Sequence, residues 1–441
     1  MKLVKSIFKR ILPENTLNIV KKHFVPHKMN ENDMQSLVHL SLLLRAQNDQ
    51  KGAENIIHKI LVGRFEDAPG LPIGFIEQFL MAVESMQNAS ETRDGVREAF
   101  IEHVLNIDPQ CLTCNGWLNL YNLVFRNGLV RGAYFIRKKA AERACNDAKE
   151  KPSNEHTLFL AFKIAIDNAD FSSAHDFLDK LKKANYNETE TEESEAYYSL
   201  NSGNIQNIQT IWSKKMTHEN ELFLNYIEGK SVAIVGPSAS EDDVGEEIDS
   251  FDVVVRTNYR GRKHMPDPRK YGKKLNISYY NGEDSSYINT QKHSFFHELD
   301  YAVFKKNQFD IQKSIIDSNK GREMYLIGSH FWSGSATIIP LILFDIYHFR
   351  PSRVKLFNLN IHLSKKEYNT LYRENVDHND LRYRLRSFAH HDILSSFNFY
   401  KNLWRSGMIE ADRACSDVLN LSAENYMSGL EEIYTEAKQN N

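Results

Sequence analysis

Three short stretches of this chain carry residue types that hold phosphate or move protons. From Lys230 to Asn258 the sequence reads KSVAIVGPSASEDDVGEEIDSFDVVVRTN. Two apolar runs, Val232 to Val235 and Val253 to Val255, are joined by a Gly236-Pro237-Ser238 turn and an acidic connection. Open α/β sheets build nucleotide sites from this unit, with the ligand outside the carboxyl ends of the strands. Gly236 and Ser238 then stand at one strand end, Arg256 and Asn258 at the next. A second turn, Ser333-Gly334-Ser335, follows an apolar run ending at Ile327 and precedes a helical pattern from Ala336 to Tyr347. Unpaired N–H groups and the positive end of a helix suit such a turn to a phosphate. The third stretch is the pair His390-His391, ending a loop before a helix whose Phe397, Tyr400, Leu403 and Trp404 are spaced to face a core. An imidazole with an ordinary pKa of about 6.5 suits base duty near neutral pH, although paired histidines are often structural.

These stretches need a sheet to hold them. Strand patterns recur at Asn276 to Tyr280, Tyr301 to Phe304, Met324 to Ile327 and Val354 to Leu359, alternating with helical ones. The residues from 228 to 441 therefore read as an α/β domain. Residues 29 to 227 read as an all-α region of helical hairpins. Ala53, Ala99, Ala133 and Ala174 each sit early in the second helix of a pair, and VLNIDPQ followed by WLNLYNLVFRNG resembles a junction of tetratricopeptide-type repeats. Such an array serves a protein partner or an acceptor, or is merely structural. NETETEESE, residues 187 to 195, reads as a solvated loop.

At 441 residues the chain is long enough for two domains, and a net charge of -3 gives no reason to expect nucleic-acid binding. No run of about 18 apolar residues exists to span a bilayer. In residues 1 to 28, Leu3, Val4, Ile7, Phe8, Ile11 and Leu12 recur at helical spacing between basic residues. That helix fits a membrane interface or docks on its own domain. Cysteines stand at 111, 114, 145 and 415; the CLTC pair has metal-ligand spacing, but no second pair completes a zinc site. Seven basic residues between Arg260 and Lys274 form either a solvated loop or a rim that attracts anions.

The order V-G-x-S, then G-x-E-I-D-S-x-D-x-V-V-R-x-N, resembles the large sialylmotif of the animal-type sialyltransferases, with Gly245, Glu247, Ile248, Asp249, Ser250, Asp252, Val255, Arg256 and Asn258 in matching places. Pro237 stands where that motif has Asn, so one nucleotide contact is missing or supplied elsewhere. Residues 327 to 361 resemble the small motif, with Asn358 near its expected glycine, and residues 386 to 409 resemble the very short motif, with Ser396 at its Glu position. The resemblance implies a Rossmann-like, GT-A-variant sheet and an inverting, metal-independent transfer of an acidic sugar from a CMP-activated donor to a glycan or glycolipid. His391 would be the base. Gly236, Ser238, Asn258, Ser333, Gly334, Ser335 and His378 would bind the donor, with His362 second to His378. No cofactor beyond the donor is implied. Secretory members of that family carry a disulfide between their two main motifs that this sequence cannot form, so a cytoplasmic protein, peripheral at a membrane, is expected. Two alternatives stand beside this reading: a CMP-Kdo or other nucleotide-sugar transferase of the same fold, and a helical scaffold with a degenerate transferase domain.

Overall fold

The computed structural model describes residues 73–87, 93–151, 154–184, 186–204, 216–281, 293–305, 320–365, 368–369, 371–372 and 381–439. The amphipathic start, Ala53 and His378 lie outside the described residues. The chain divides into two compact units, Met1–Arg143 and Ala144–Asn441.

The described part of the first unit is helical: α1 (Ile73–Gln87), α2 (Arg93–Asn106), α3 (Cys114–Arg126) and the start of α4 (Val130–Glu150). Phe75 and Phe79 pack on Phe100 with ring centroids 5.6 and 6.1 Å apart, closing the first hairpin. Gly132 lets α4 approach, since a Cβ there would stand 2.7 Å from the Phe100 ring. Ala133 is fully buried, whereas Ala99 faces outward and closes no helix pair.

The second unit adds α5 (Glu155–Asp167), α6 (Phe171–Lys183), α7 (Glu188–Asn201) and α8 (His218–Ile227) before the sheet begins. Asn154, Asp170, Asn187 and Thr217 cap these four helices, each accepting an N–H of the first turn. The segment expected as a solvated loop at 187 to 195 is thus the start of α7. Its glutamates complement the positive helix end, and Ser194, Ala196, Tyr197 and Leu200 bury one side.

Seven strands follow: β1 (Ser231–Val235), β2 (Val253–Thr257), β3 (Ile277–Tyr280), β4 (Tyr301–Phe304), β5 (Gly321–Glu323), β6 (Arg353–Phe357) and β7 (Glu410–Ala411). All pair in parallel, in the order β5-β4-β3-β2-β1-β6-β7. The chain builds outward from β1 to β5, then returns to lay β6 on the other side of β1, so the winding reverses between β1 and β6. The fifth strand lies just before the expected Met324 to Ile327. Met324 and Ile327 are buried in an irregular segment, where Met324 N–H still donates to the Phe304 carbonyl of β4 at 2.8 Å.

Both faces of the sheet are covered, which is why its strands are apolar runs rather than alternating ones. On one face Ala233, Val235, Val254 and Phe357 pack under α9 (Gly245–Ser250) and α10 (Pro268–Tyr271). On the other lie α11 (Ile338–Tyr347) and α13 (Ile393–Arg405), the latter entered from α12 (Leu381–His390). Helices α5 and α7 pack on α13, and α14 (Arg413–Leu419) and α15 (Ala423–Gln439) close the unit. Asp345 of α11 is fully buried; it pairs with Arg322 of β5 at 2.6 Å and also accepts from Tyr279 of β3. The later hairpin helices belong with the sheet. Asn402 of α13 donates to the Ile166 carbonyl and to Asn201, and Trp332 donates to Asp167 at 3.0 Å.

Candidate functional site

A cavity of about 340 Å³ opens at the carboxyl ends of the strands where the winding reverses. Pro237 and Ser238 enter it from beyond β1, Leu359 to His362 from beyond β6, Asn281 from beyond β3 and Lys305 from beyond β4. Helical residues close it: Ala336 to Ile339 at the start of α11, and His390, His391, Ser396 and Tyr400 around the α12–α13 junction. Crevices at such reversals are where open α/β sheets bind ligands. Among the described residues no Asp or Glu lines the cavity, while one lysine and three histidines do. Its interior therefore favours an anion.

Close backbone approaches shape it. A Cβ on Gly236 would stand 2.5 Å from the Asn358 carbonyl, so only glycine lets the β1 turn pass the end of β6. Asn358 itself has φ of 51°, a conformation that suits glycine and that asparagine tolerates, at the place where the small motif has its glycine. Ser238 shares hydrogen bonds with Asn360 in both directions, at 3.0 and 3.2 Å. The Nδ2 of Asn360 is buried without a partner, although Asn360 lines the cavity. It is a donor on the cavity wall, beside Ser238, that no described residue uses. Pro237 is held by Asn369, whose N–H and Nδ2 donate to its carbonyl at 2.9 and 3.0 Å.

The serine turn and the histidine pair lie together. Ser335 and His391 form a parallel bridge: Ser335 N–H donates to the His390 carbonyl at 3.1 Å, and Asp392 N–H to the Ser335 carbonyl at 2.9 Å. Asp392 caps α13 through Ser395 and also accepts the Ser333 N–H at 2.9 Å. The N–H groups of Ser333 and Ser335, expected to face a phosphate, are thus spent on the α12–α13 junction. The first turn of α11 meets the cavity instead, and no side chain caps it. His390 ends a helix rather than a loop, and His391 stands between two helices.

Burial is the main reason that the His391 imidazole is held down at about 4, with His390 and His362 opposing a further positive charge. The ring is neutral near pH 7. The Ser335 Oγ lies 3.0 Å from its Nδ1 and 3.4 Å from the His390 carbonyl. When the hydroxyl donates to that carbonyl it can accept Nδ1–H, and that tautomer has its basic lone pair on Nε2. Ser396, at the Glu position of the very short motif, is buried against the cavity and donates to the Asp392 carbonyl at 3.0 Å.

Asn258 stands back from the cavity with its side chain committed. Its Nδ2 donates to the Tyr372 hydroxyl at 2.8 Å, and its Oδ1 accepts the Asn281 N–H at 3.1 Å. It positions two cavity residues rather than lining the cavity itself. His362 lines the cavity and stacks on Phe388 at 4.6 Å. The basic residues after Asn258 are largely engaged: Arg260 with the Tyr372 carbonyl, Arg262 with Glu298, Arg269 with Asp267 and Lys270 with Glu241. Lys305, Asn360 and Tyr372 escaped the sequence reading. Lys305 carries a weak signal, the first of two lysines directly after the buried run YAVF. The four cysteines are free thiols. Among the described residues no helix is long and apolar enough to cross a membrane. Comparison of the chain with protein-family models, with curated proteins and with solved structures finds no significant match.

Proposed function

We propose that this protein transfers an acidic sugar from a CMP-activated donor to a glycan or glycolipid hydroxyl, with inversion and with His391 as general base. In this reading the sheet is a Rossmann-like variant of the sialyltransferase arrangement. The observation that carries the proposal is the cavity at the β1/β6 reversal, lined by a neutral imidazole, an ammonium group and an uncapped helix start, with no carboxylate among the described wall residues.

His391 Nε2 takes the proton of the acceptor hydroxyl as its oxygen attacks the anomeric carbon. The bond from that carbon to the CMP phosphate oxygen breaks on the opposite face, and its electron pair leaves with the phosphate. CMP is a good leaving group, so the chain must supply alignment, a base and donors for the departing charge. In this reading the N–H groups of Ile338 and Ile339 at the start of α11 receive the phosphate, Pro340 having none, and Asn360 Nδ2 binds the nucleotide where Pro237 cannot. A donor carrying Kdo in place of sialic acid fits the same chemistry.

The test is His391→Ala in purified protein offered CMP-sialic acid and CMP-Kdo with an acceptor panel. Transfer is expected to fall by about 10²- to 10⁴-fold while CMP affinity by calorimetry stays within a few fold. Loss of CMP binding would move His391 to the nucleotide site. A wild-type protein that binds neither CMP nor either donor is the outcome expected of a helical scaffold with a degenerate domain.

A further inference from the structure

The cavity contains one cationic side chain that the reaction as described does not use. Lys305 follows β4 directly and lines the cavity, half-buried. Among the described residues no carboxylate pairs with it, and it is the only lysine or arginine on the cavity wall. Burial pulls its pKa down, and its charge is near enough to His391 to oppose protonation of that imidazole. A cation taken partly out of water without a counter-charge is costly, and a bound anion removes the cost.

Its place along the sheet is informative. Lys305 extends from β4, three strands from β1 and four from β6. At about 4.8 Å per strand, those spacings put it roughly 14 and 19 Å along the edge from the Ser238 and Asn360 ends. The nucleotide end and the Lys305 end are thus different parts of one site, and His391, which feels both His362 beyond β6 and Lys305 beyond β4, stands between them.

We propose that Lys305 receives a second anion of the donor, the carboxylate borne by the same carbon that the acceptor attacks, and so selects ulosonic donors over neutral sugars. The assignment rests on the transferase reading above and adds a chemical requirement to it. In an ulosonic donor the carboxylate and the leaving phosphate share one carbon. Whatever binds that carboxylate must therefore lie beside the base that activates the acceptor. Lys305 is the cation that meets this condition, and Arg260, Arg262 and Lys270 do not line the cavity.

The experiment compares wild type, Lys305→Met and Lys305→Arg for CMP affinity, CMP-sialic acid affinity and donor hydrolysis without acceptor. Wild type is expected to bind CMP-sialic acid more tightly than CMP. In Lys305→Met, CMP affinity should stay within about twofold, while the preference for donor over CMP falls by about 10- to 100-fold, the worth of one charged hydrogen bond. Arginine should restore part of the preference. Melting temperature should not fall in either variant, because no partner among the described residues is lost. Equal weakening of CMP and donor would place Lys305 on the phosphate and overturn the proposal. Intact donor affinity and hydrolysis with transfer lost would assign it to an anionic acceptor, also overturning it. Unchanged selectivity would leave Lys305 without this role. A wild type that does not bind CMP defeats the transferase reading itself, and this assignment with it.

Discussion

Replacing Gly334 by alanine adds one methyl group where two backbones meet. The new Cβ would stand 2.8 Å from the His390 carbonyl oxygen and 2.9 Å from the Asp392 nitrogen, against ordinary contacts of 3.4 Å or more. Both neighbours are backbone atoms at a helix junction, so neither can swing aside as a side-chain end would. The two segments must part by about 0.5 Å, which overpacking studies associate with about 1–3 kcal/mol. That opening stretches the bonds from Ser335 N–H to His390 and from Asp392 N–H to Ser335, now 3.1 and 2.9 Å. Weakening two such bonds adds about 1 kcal/mol. The expected loss is about 2–4 kcal/mol, or roughly 3–6 °C in melting temperature for a unit of about 300 residues. The same displacement moves His391 relative to the cavity, and a shift of this kind costs up to about 10²-fold in turnover. Calorimetric melting and transfer assays on Gly334→Ala measure both. CMP affinity should fall as well, because Ser335 leads into the start of α11 that the proposal gives to the phosphate, while the walls beyond β1 and β6 are untouched. A variant that melts with wild type and transfers at the same rate would refute the claim that the Ser335–His391 bridge sets the base.

Two further expectations concern acid. His330 and His348 are buried and held near 4 chiefly by desolvation, well below the ordinary histidine value. The unfolded chain therefore binds more protons between pH 6.5 and 4, and stability should fall as pH drops through that window, by about 2 kcal/mol per histidine at pH 5. Urea midpoints that stay flat from pH 7 to pH 5 would contradict their burial as neutral rings. For His391, the acid limb of kcat/KM should lie near its free-protein value of about 4, and that of kcat higher, because bound phosphate and carboxylate favour the imidazolium. Coincident limbs would mean that the donor's charges do not reach the ring.

The fold was legible wherever apolar periodicity decided it. β1, β2, β3 and β4 are short apolar runs that are almost wholly buried, and such runs announce themselves, while β6 shows through Val354, Leu356 and Phe357 beside an exposed Arg353. β7 was not anticipated, since two residues, Glu410 and Ala411, carry no periodicity. The start of α7 was misread because its stabilising features are an asparagine cap and a charged first turn, which look like a polar loop until Tyr197 and Leu200 are seen to be buried. Within the site, the serine turn and the histidine pair were found as separate stretches. Their union depends on a 56-residue separation that local pattern does not encode. The spending of the Ser333 and Ser335 N–H groups on Asp392 and His390 was hidden for the same reason.

The residues that carry the resemblance are mostly scaffold. Gly245 starts α9 where a Cβ would stand 2.0 Å from the Pro268 carbonyl. Asp249 accepts the N–H groups of Lys273 and Lys274, and Arg256 donates to the carbonyls of Tyr271, Gly272 and Lys274 from the opposite side of the same loop. Asp252 fixes Ser231 at the start of β1, and Glu247 pairs with Lys355 of β6. None of these side chains lines the cavity. Together they hold α9, α10 and the first strands so that the β1 turn meets the end of β6. A sequence match at these positions therefore speaks for the architecture of the site, and the choice of ligand must be argued from the walls themselves. Among the described residues those walls offer Asn360 with an unused donor, an uncapped helix start, a neutral His391, a Lys305 without a paired carboxylate, and no Asp or Glu. A neutral nucleotide sugar would leave Lys305 unpaired; a donor with two anions beside its reactive carbon would not.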